Sequence, residues 1–423
     1  PLSISEVLAR IELTHPLLQA AGAERARARA KILKALAAWE PTFKNTTRTQ
    51  RFQTWNLTTS PTIFDTHNGG FSDTKLEVGH PWGFRVQGGV RSGYGDRGNQ
   101  GTIAIIPDLQ AFYAQQQFIV GGSFELLRGL MINEESAEFQ QAELAAPQAE
   151  IKVAKKRQDL YLAGAVQYWD WQVAVKQAEI VKRALAVAED RLIQVEGLAK
   201  GGKVSPLDVI EVNQEVQKRR EAAIYAQRNV EYEQYKLSLY LWENGEPVTP
   251  RPEWAPEFQG ETPLPTSAEV AAYKVEAKED RPEVRDLYIE AKMNNIDIKL
   301  GKNKLLPKLN LEGGPTDGAT DWIVGIGYRI GLHTEMPLFQ REGRGKVMAA
   351  EVGQQQLMLK QQYTEQQVNL DVDNWLSAQV RARDRVVAST EALRLAKTLE
   401  EGERTRFNMG STTVLFVNLR ERN

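Results

Sequence analysis

The clearest pattern in the chain is a strict alternation of bulky and small or polar residues from Trp322 to His333. A strand places alternate residues on one face, so one face would carry Trp322, Val324, Ile326, Tyr328, Ile330 and Leu332. The other face would be mostly glycine or polar. This alternation predicts a half-buried strand, and with lipid on one side and water on the other it also fits a transmembrane β-barrel.

Three further segments alternate in the same way. They lie at Phe84 to Arg91, at Gln117 to Leu126 and at Lys308 to Glu312, while the Thr-rich segment Phe43 to Phe52 is less clear. Four clear strands are too few to close a barrel of useful bore, but several copies of the chain could close one together and remove its exposed edges. Trp55, Trp82 and Trp322 would form an interfacial aromatic girdle or would pack at strand ends.

Long helical hairpins are the second pattern. The first is predicted to run from about Gln148 to Ala199, turn at Gly201-Gly202 and return from Pro206 to about Leu241, and the second to run out from about Arg344 to Phe407. At the rise of an α-helix the two outgoing arms would be roughly 75 Å and roughly 95 Å long. Their apolar seams are thin: Ile180, Ala184, Ala188, Leu192, Val195 and Ala199 in the first arm, and Val372, Leu376, Val380 and Val387 in the second. Thin seams favour knobs-into-holes packing, either in a solid coiled coil or in a ring of helices, and the strands favour the ring.

Repeated spacings indicate two halves. Pro16 and Pro282 begin helical runs that end before Pro41 and Pro307, and both pairs are 266 residues apart. The two hairpin turns are 208 residues apart, so the first half carries about 58 extra residues, which must lie between Asn56 and Gly122. That insertion would be either an extracellular loop or extra barrel wall.

The predicted organisation therefore has three segments. Residues 1–243 form a first repeat of a short helix, strands and a long hairpin, and residues 281–423 form a second. Residues 244–280 form a linker, because the six prolines between Asn244 and Thr266 exclude a helix or a central strand. A short helix is predicted from Ser267 to Glu279. If the last helix matched its counterpart it would reach about residue 449, so we expect it to be incomplete at Asn423.

Composition narrows the possible functions. The 423 residues carry a net charge of −2 and no cysteine, which gives no overall attraction to nucleic acid and excludes disulfides, Cys-ligated zinc and thiol catalysis. Mean hydropathy is −0.44, and no apolar run approaches the roughly 20 residues of a transmembrane helix. The four histidines lack partners at metal-ligand spacing, and no phosphate-binding glycine motif or Ser/His/Asp arrangement is evident. We expect no enzyme activity, cofactor, metal or nucleic-acid partner.

In this order of elements the chain resembles the outer-membrane efflux protein family, the TolC-like channels. The local marks are degenerate singly, but their order and spacing are fairly specific and cover nearly the whole chain: His15-Pro16-Leu17-Leu18, Ser205-Pro206-Leu207-Asp208, Arg281-Pro282-Glu283, Leu306-Pro307, Met336-Pro337-Leu338-Phe339 and Arg406-Phe407-Asn408-Met409-Gly410.

The resemblance implies an α+β membrane protein. It would be a homotrimer with a 12-stranded outer-membrane β-barrel continued by a periplasmic α-helical barrel, and residues 244–279 would form a belt around the tunnel. The trimer would serve a tripartite efflux pump or a type I secretion system as its passive exit duct. Its partners would be outer-membrane lipid, contacted by Trp322, Val324, Ile326, Tyr328 and Ile330, a periplasmic adaptor and, indirectly, an inner-membrane transporter. Hairpin tips that meet the adaptor would comprise Gly201, Gly202, Val204, Ser205, Gly410, Ser411 and Thr412.

The resemblance also implies a periplasmic aperture at the second hairpin, formed by Phe407, Thr412, Phe416 and Leu419. The family often has acidic residues six and nine places after the turn glycine, where this chain has Phe416 and Leu419. We therefore hypothesise an apolar constriction at Phe416, with Leu419, that closes by dewetting. The alternative is that Phe416 simply packs against a neighbouring helix.

Two other functions stay open at this point: a periplasmic adaptor with one long hairpin, and a coiled-coil scaffold. Two hairpins with strands in both halves count against the adaptor, and the alternating strand counts against the scaffold. The sequence does not identify the exported substrate, the adaptor or the pump.

Overall fold

A computed structural model describes residues 1–56, 63–95, 116–258, 260, 263–316, 322–413, 416–417 and 419–420. The helices in these ranges are α1 (Ile4–Thr14), α2 (Pro16–Leu36), α3 (Glu134–Lys200), α4 (Pro206–Ser238), α5 (Ser267–Asp280), α6 (Pro282–Asn303) and α7 (Arg341–Asn408). The strands are β1 (Thr42–Asn56), β2 (Ile63–His80), β3 (Phe84–Gly95), β4 (Gln116–Glu125), β5 (Trp242–Glu243), β6 (Glu246–Pro247), β7 (Lys308–Thr316) and β8 (Gly327–Glu335).

The chain divides into two compact units. One comprises residues 1–24, 151–285 and 363–423, and the other comprises 25–150 and 286–362. Each unit takes residues from before and after the predicted linker. We call them the hairpin unit and the sheet unit.

The sheet unit is built on one antiparallel sheet with the strand order β1-β2-β3-β4-β7-β8. Its first two pairings are long: β1 pairs with β2 from Thr42–Glu77 to Asn56–Ile63, and β2 pairs with β3 from Gly69–Gly95 to His80–Phe84. Among the described residues the sheet thus holds six strands where four clear strands were predicted. The four-strand count was wrong because β1 is Thr-rich and β2 mixes glycine with polar residues, so that neither shows the alternation by which the others were found.

The last strand is shorter than predicted. It begins at Gly327, not at Trp322, so Trp322, Val324 and Ile326 lie before it. Trp322 has a φ of 71°, a left-handed conformation that an extended strand does not contain. The segment instead turns back to β4, where the Val120 amide donates to the Trp322 carbonyl at 2.8 Å and the Val324 amide donates to the Phe118 carbonyl at 2.8 Å.

The long helices are confirmed, and the first is longer than expected. It begins at Glu134, where Asn133 caps it: the Ser136 amide donates to Asn133 Oδ1 at 2.7 Å. Pro147, which suggested a later start, lies inside this helix. Proline removes one backbone hydrogen bond from a helix interior, and here the helix continues through it to Lys200.

The core of the hairpin unit surrounds Trp171, which is fully buried with Ile11, Leu237 and Leu241. The Pro-rich linker lies against the same hairpin, because Gln172 and Gln234 donate to the carbonyls of Pro256 and Pro250 at 2.8 Å and 2.7 Å. Between Asn244 and Thr266 the described residues of the linker contain only β6 and one 3-10 turn, as the prolines there predict. The predicted helix after it is confirmed as α5.

Short side chains and ion pairs hold the helices of the sheet unit together. Ala28 packs against Ala145 and Ala149, and Arg25 forms a bidentate pair with Glu150 at 2.6 and 2.7 Å. Small residues let helix axes approach closely, so polar partners at the rim can meet with good geometry.

Among the described residues, every helix is too short or too polar to cross a lipid bilayer.

Candidate channel wall and hairpin tips

The six-stranded sheet has one apolar face that the described residues leave uncovered. The pairing register places directly opposed residues on the same face, and this apolar face is exposed on every strand: Phe43, Leu76, Val78, Phe84, Val86, Phe118, Val120, Leu311, Tyr328, Ile330 and Leu332. Tyr328 is 81% and Ile330 69% exposed. A large contiguous apolar surface of this kind marks a site that another apolar phase or molecule covers.

The other face of the sheet is charged, and its charges are paired across strands. Lys44 Nζ lies 2.7 Å from Glu77, and Arg85 lies 3.8 Å from the same carboxylate. Farther along β2 and β3, Arg91 forms a bidentate pair with Asp73 at 2.6 and 2.7 Å. The Arg91 guanidinium also lies over the Phe71 ring. The pairing register therefore separates a face with exposed apolar side chains from a charged face.

Trp322 is not on the apolar face. Its ring lies against Gly121 and Gly314, so close that a Cβ on Gly121 would be 1.9 Å from the ring. Both glycines belong to the charged face by register, as do Arg329 and Gly331, which line a small pocket beside the ring. The prediction that Trp322 shares a face with Tyr328 and Ile330 was wrong, because the left-handed backbone at Trp322 redirects its side chain.

Of the two other tryptophans in the predicted aromatic girdle, Trp82 is the one whose side chain the structure describes. Trp82 is exposed in the turn between β2 and β3, where its ring meets His80 edge-on. The Trp55 side chain lies outside the described residues.

The two hairpin turns have the same backbone geometry. Gly202 and Gly410 have φ values of 71° and 73°, which glycine adopts without strain. After each glycine one amide reaches back five residues, Lys203 to the Leu198 carbonyl at 3.0 Å and Ser411 to the Arg406 carbonyl at 2.9 Å. This closing pattern satisfies the last carbonyls of a helix. Gly201, Gly202, Ser205, Gly410 and Ser411 are exposed, and Val204 and Thr412 are half-buried.

A small apolar core joins the two tips. Val195 and Val212 are buried, and Phe407 packs against them together with Leu192, Val204 and Val209. In the single chain, therefore, Phe407 contacts the first hairpin. This contact requires a fold that brings α7 beside α3 and α4, which the spacing of residues in α7 alone could not reveal.

The other predicted aperture residues differ in exposure. Phe416 is 49% and Leu419 38% exposed, whereas Val417 between them is fully buried. Thr412 donates to Glu403 Oε1 at 2.6 Å, which ties the turn to the end of α7. Phe416 and Leu419 thus share the open side of this short helical segment, as residues three apart in a helix do.

Asp208, the acidic residue of the first hairpin, has a local structural role. Its carboxylate accepts from the Ser205 amide at 2.9 Å, and the Ser205 hydroxyl accepts from the Leu207 amide. Together they cap the start of α4. The Ser-x-x-Asp spacing predicts this capping box from sequence.

A buried lysine lies where the helices of the sheet unit converge. The Lys304 side chain is 5% exposed and bonds to Glu134 and Glu342. Lys346 and Lys304 lower the pKa of the Glu342 carboxyl to about 2. Burial disfavours the charge on Lys304, but the hydrogen bonds that its ammonium donates to Glu134 and Glu342 outweigh burial and raise its pKa. No cluster of three or more metal-ligating side chains occurs in the described ranges.

Sequence reasoning missed the cross-strand ion pairs. Lys44 lies on β1, whose segment was a less clear candidate strand, and Asp73 and Glu77 lie on β2, which was not predicted. The signal was weak because their apolar neighbours are few. Once the register is known, each pair follows from opposed or adjacent positions.

The fold is similar to that of several solved outer-membrane channels. Solved structures with this fold include the CmeC outer membrane channel of Campylobacter jejuni, which is 13% identical, with a TM-score of 0.68 over 99% of this chain and 79% of that one. The outer membrane protein VceC of Vibrio cholerae is 14% identical, with a TM-score of 0.65 over 99% and 89%. The MtrE outer membrane channel of Neisseria gonorrhoeae is 14% identical, with a TM-score of 0.64 over 99% and 82%.

Neither a protein-family model nor a curated protein sequence matches the chain. At these identities the structural likeness establishes the fold.

Proposed function

We propose that this chain is one protomer of a homotrimeric outer-membrane exit duct. The observation that carries the proposal is the two-faced sheet, whose apolar face has no cover among the described residues while its charges are paired on the other face. In a barrel wall the apolar face contacts lipid and the charged face contacts the water-filled lumen. Tyr328 and Ile330 then face outer-membrane lipid with the rest of the apolar face.

Two features support assembly from several copies. In the described part of the chain, β1 pairs only with β2 and β8 only with β7, so each end of the sheet offers an edge to a neighbour. Residues 381–395 of α7 are exposed on all sides, although they include Val386, Val387 and Leu393. A helix this long gains most of its stability from packing, and neighbouring copies would supply it in a periplasmic helical tunnel.

The halves support an origin by duplication. Both contain a short helix, a proline-initiated helix and a strand, and the strands begin at Thr42 and Lys308 with the same 266-residue spacing as the prolines. The matching turns at Gly202 and Gly410 extend this correspondence to the hairpins.

The duct itself performs no chemistry in this proposal. A periplasmic adaptor would bind the exposed hairpin tips, at Gly201, Gly202, Val204, Ser205, Gly410, Ser411 and Thr412, and would connect them to an inner-membrane transporter. Energy would come from that transporter, in an efflux pump or a type I secretion system, and the substrate would pass through the lumen.

A matched pair of substitutions tests the lipid-facing role. Ile330→Lys places a charge on the apolar face, where a bilayer opposes it by about 2–4 kcal/mol near the midplane. Gly331→Lys places the same charge on the opposite face, next to open space. We expect Ile330→Lys to reduce the assembled protein in outer-membrane fractions strongly and Gly331→Lys to leave it near wild type. Equal levels of the two variants would contradict a lipid-facing Ile330.

The constriction at Phe416 is tested separately by conductance. Phe416 and Leu419 are exposed on one side in the single chain, as a dewetting gate requires. We expect Phe416→Ala to raise the ion conductance of channels in planar bilayers, since a smaller apolar ring holds water more readily. A variant with wild-type conductance would reject the gate and favour simple packing of Phe416 against a neighbouring helix.

The alternatives, a periplasmic adaptor or a coiled-coil scaffold, make the opposite prediction about solubility. Either would be released from cells without detergent, whereas the duct requires detergent for extraction.

A further inference from the structure

We propose that β2 and β3, which carry much of the first-half insertion, are two additional strands of the barrel wall and not an extracellular loop. This rests on the proposed trimeric duct. Three copies of a six-stranded sheet then contribute eighteen strands instead of twelve. The consequence is a barrel wide enough for bulky, water-soluble cargo.

The pairing register places the two strands inside the wall. β2 pairs along its length with β1 on one side and with β3 on the other, and β3 pairs with β4 from Phe84–Phe124 to Ser92–Gln116. A loop appended to a four-stranded sheet would leave β1 and β4 paired with each other. Here β2 and β3 separate them.

The apolar face continues across the added strands in register. One row of opposed residues runs through five strands as Val78, Val86, Gly122, Gly313 and Ile330. Val78, Val86 and Ile330 are exposed. A hairpin that stood in water would have no reason to place its apolar residues in register with those of β8.

The charged face is equally continuous. Glu77 on β2 contacts Lys44 on β1 and Arg85 on β3, while Asp73 on β2 pairs with Arg91 on β3. All five side chains lie on the face opposite the apolar row. The added strands therefore have the two-sided chemistry of a wall that separates lipid from water.

Six strands per copy also let a barrel close with antiparallel pairing between neighbouring copies. Neighbouring strands in this sheet are antiparallel, and because six is even, β8 of one copy and β1 of the next run in opposite directions. Barrel diameter grows roughly linearly with strand number, so eighteen strands give a bore about one and a half times that of twelve. Charges of both signs line it in pairs, which favours passage of hydrated cargo of either charge.

Site-directed labelling tests the placement, and the absence of native cysteine keeps the background clean. Single cysteines would replace Val86 and Gln87 on β3, with Ile330 and Gly331 on β8 as the matched pair. In lipid vesicles a charged, water-soluble maleimide should react readily at Gln87→Cys and Gly331→Cys. It should react poorly at Val86→Cys and Ile330→Cys, whose fluorescent derivatives a lipid-phase quencher should reach.

The two pairs separate the possible failures. If positions 330 and 331 react alike, the proposed lipid-embedded wall is wrong. If they alternate but positions 86 and 87 both react with the aqueous reagent, the duct survives and the added wall strands are rejected.

Polymer exclusion tests the bore. Graded polyethylene glycols, added at the barrel mouth, should lower wild-type conductance at larger sizes than they do for a variant lacking residues 57–115, which returns the sheet to four strands. The same cutoff for both channels would overturn the wider bore. If the deletion variant does not assemble, the labelling pairs still decide the placement of β2 and β3.

Discussion

The side chain of His15 joins two helices, and its charge depends on pH. It is almost fully buried, its Nδ1 accepts from the Leu17 amide at 3.2 Å, and the Leu239 backbone provides a second bond. His15 thus caps the start of α2. Burial lowers the pKa of this imidazole, since desolvation disfavours its charged form.

We therefore predict that the hairpin unit loses stability in mild acid. Because the pKa of His15 is lower in the folded than in the unfolded chain, its contribution is present above the unfolded pKa of about 6.5 and is lost progressively below it. Protonation also turns the capping nitrogen into a donor that faces an amide. Melting temperature measured from neutral to mildly acidic pH should fall more steeply for wild type than for His15→Gln. Parallel slopes would show that His15 does not titrate in this way.

The position of the Trp322 ring depends on two glycines. The ring occupies the space above Gly121 and Gly314. Gly121→Ala should displace the ring and destabilise the sheet by about 1–3 kcal/mol, as overpacking does. Gly331→Ala, which meets open space, should stay within about 0.5 kcal/mol of wild type. Urea unfolding of both variants in lipid vesicles measures the difference in their free energies of unfolding. Equal stabilities would contradict the packing of the Trp322 ring against Gly121 and Gly314.

At the scale of elements, the second hairpin arm is anchored to the first at its tip. Phe407 packs against Val195 and Val212, so Phe407→Ala should weaken the tip by about 2 kcal/mol, less than the loss for a fully buried phenylalanine. Amide hydrogen exchange around residues 192–212 should accelerate. Leu399→Ala is the control, because Leu399 is exposed on the same helix. Acceleration in both variants, or in neither, would contradict a specific contact at Phe407.

The helices were largely predictable from sequence, whereas the strands were only partly so. Prolines predicted the starts of α2, α4 and α6, and glycines predicted both hairpin turns. Both residue types act through local backbone geometry, which the sequence alone reveals. The alternation in β8 located its apolar face at Tyr328 and Ile330. Its start was misplaced because nothing local marks the left-handed backbone at Trp322.

The missing strands and contacts had a different cause. β1 and β2 are stabilised by pairing with each other and by ion pairs such as Lys44–Glu77, and such partners are distant along the chain. Strand preference depends strongly on neighbours of this kind. The contact of Phe407 with the first hairpin was hidden for the same reason.

At the scale of the whole molecule, the fold and the assembly have different support. The likeness to CmeC, VceC and MtrE extends over 99% of this chain and establishes the fold. The trimer and its lumen are inferred from three exposed surfaces. These are the apolar face of the sheet, the two edges of the sheet, and residues 381–395 of α7. In the proposed duct, lipid or a second copy would cover each of these surfaces.

The most direct test is single-particle imaging of the detergent-extracted protein. We predict a closed ring of three copies in which β8 of each pairs with β1 of the next, with eighteen strands around a water-filled lumen. A monomer that stays in solution without detergent, or particles in which the sheet edges remain unpaired, would contradict the proposed duct.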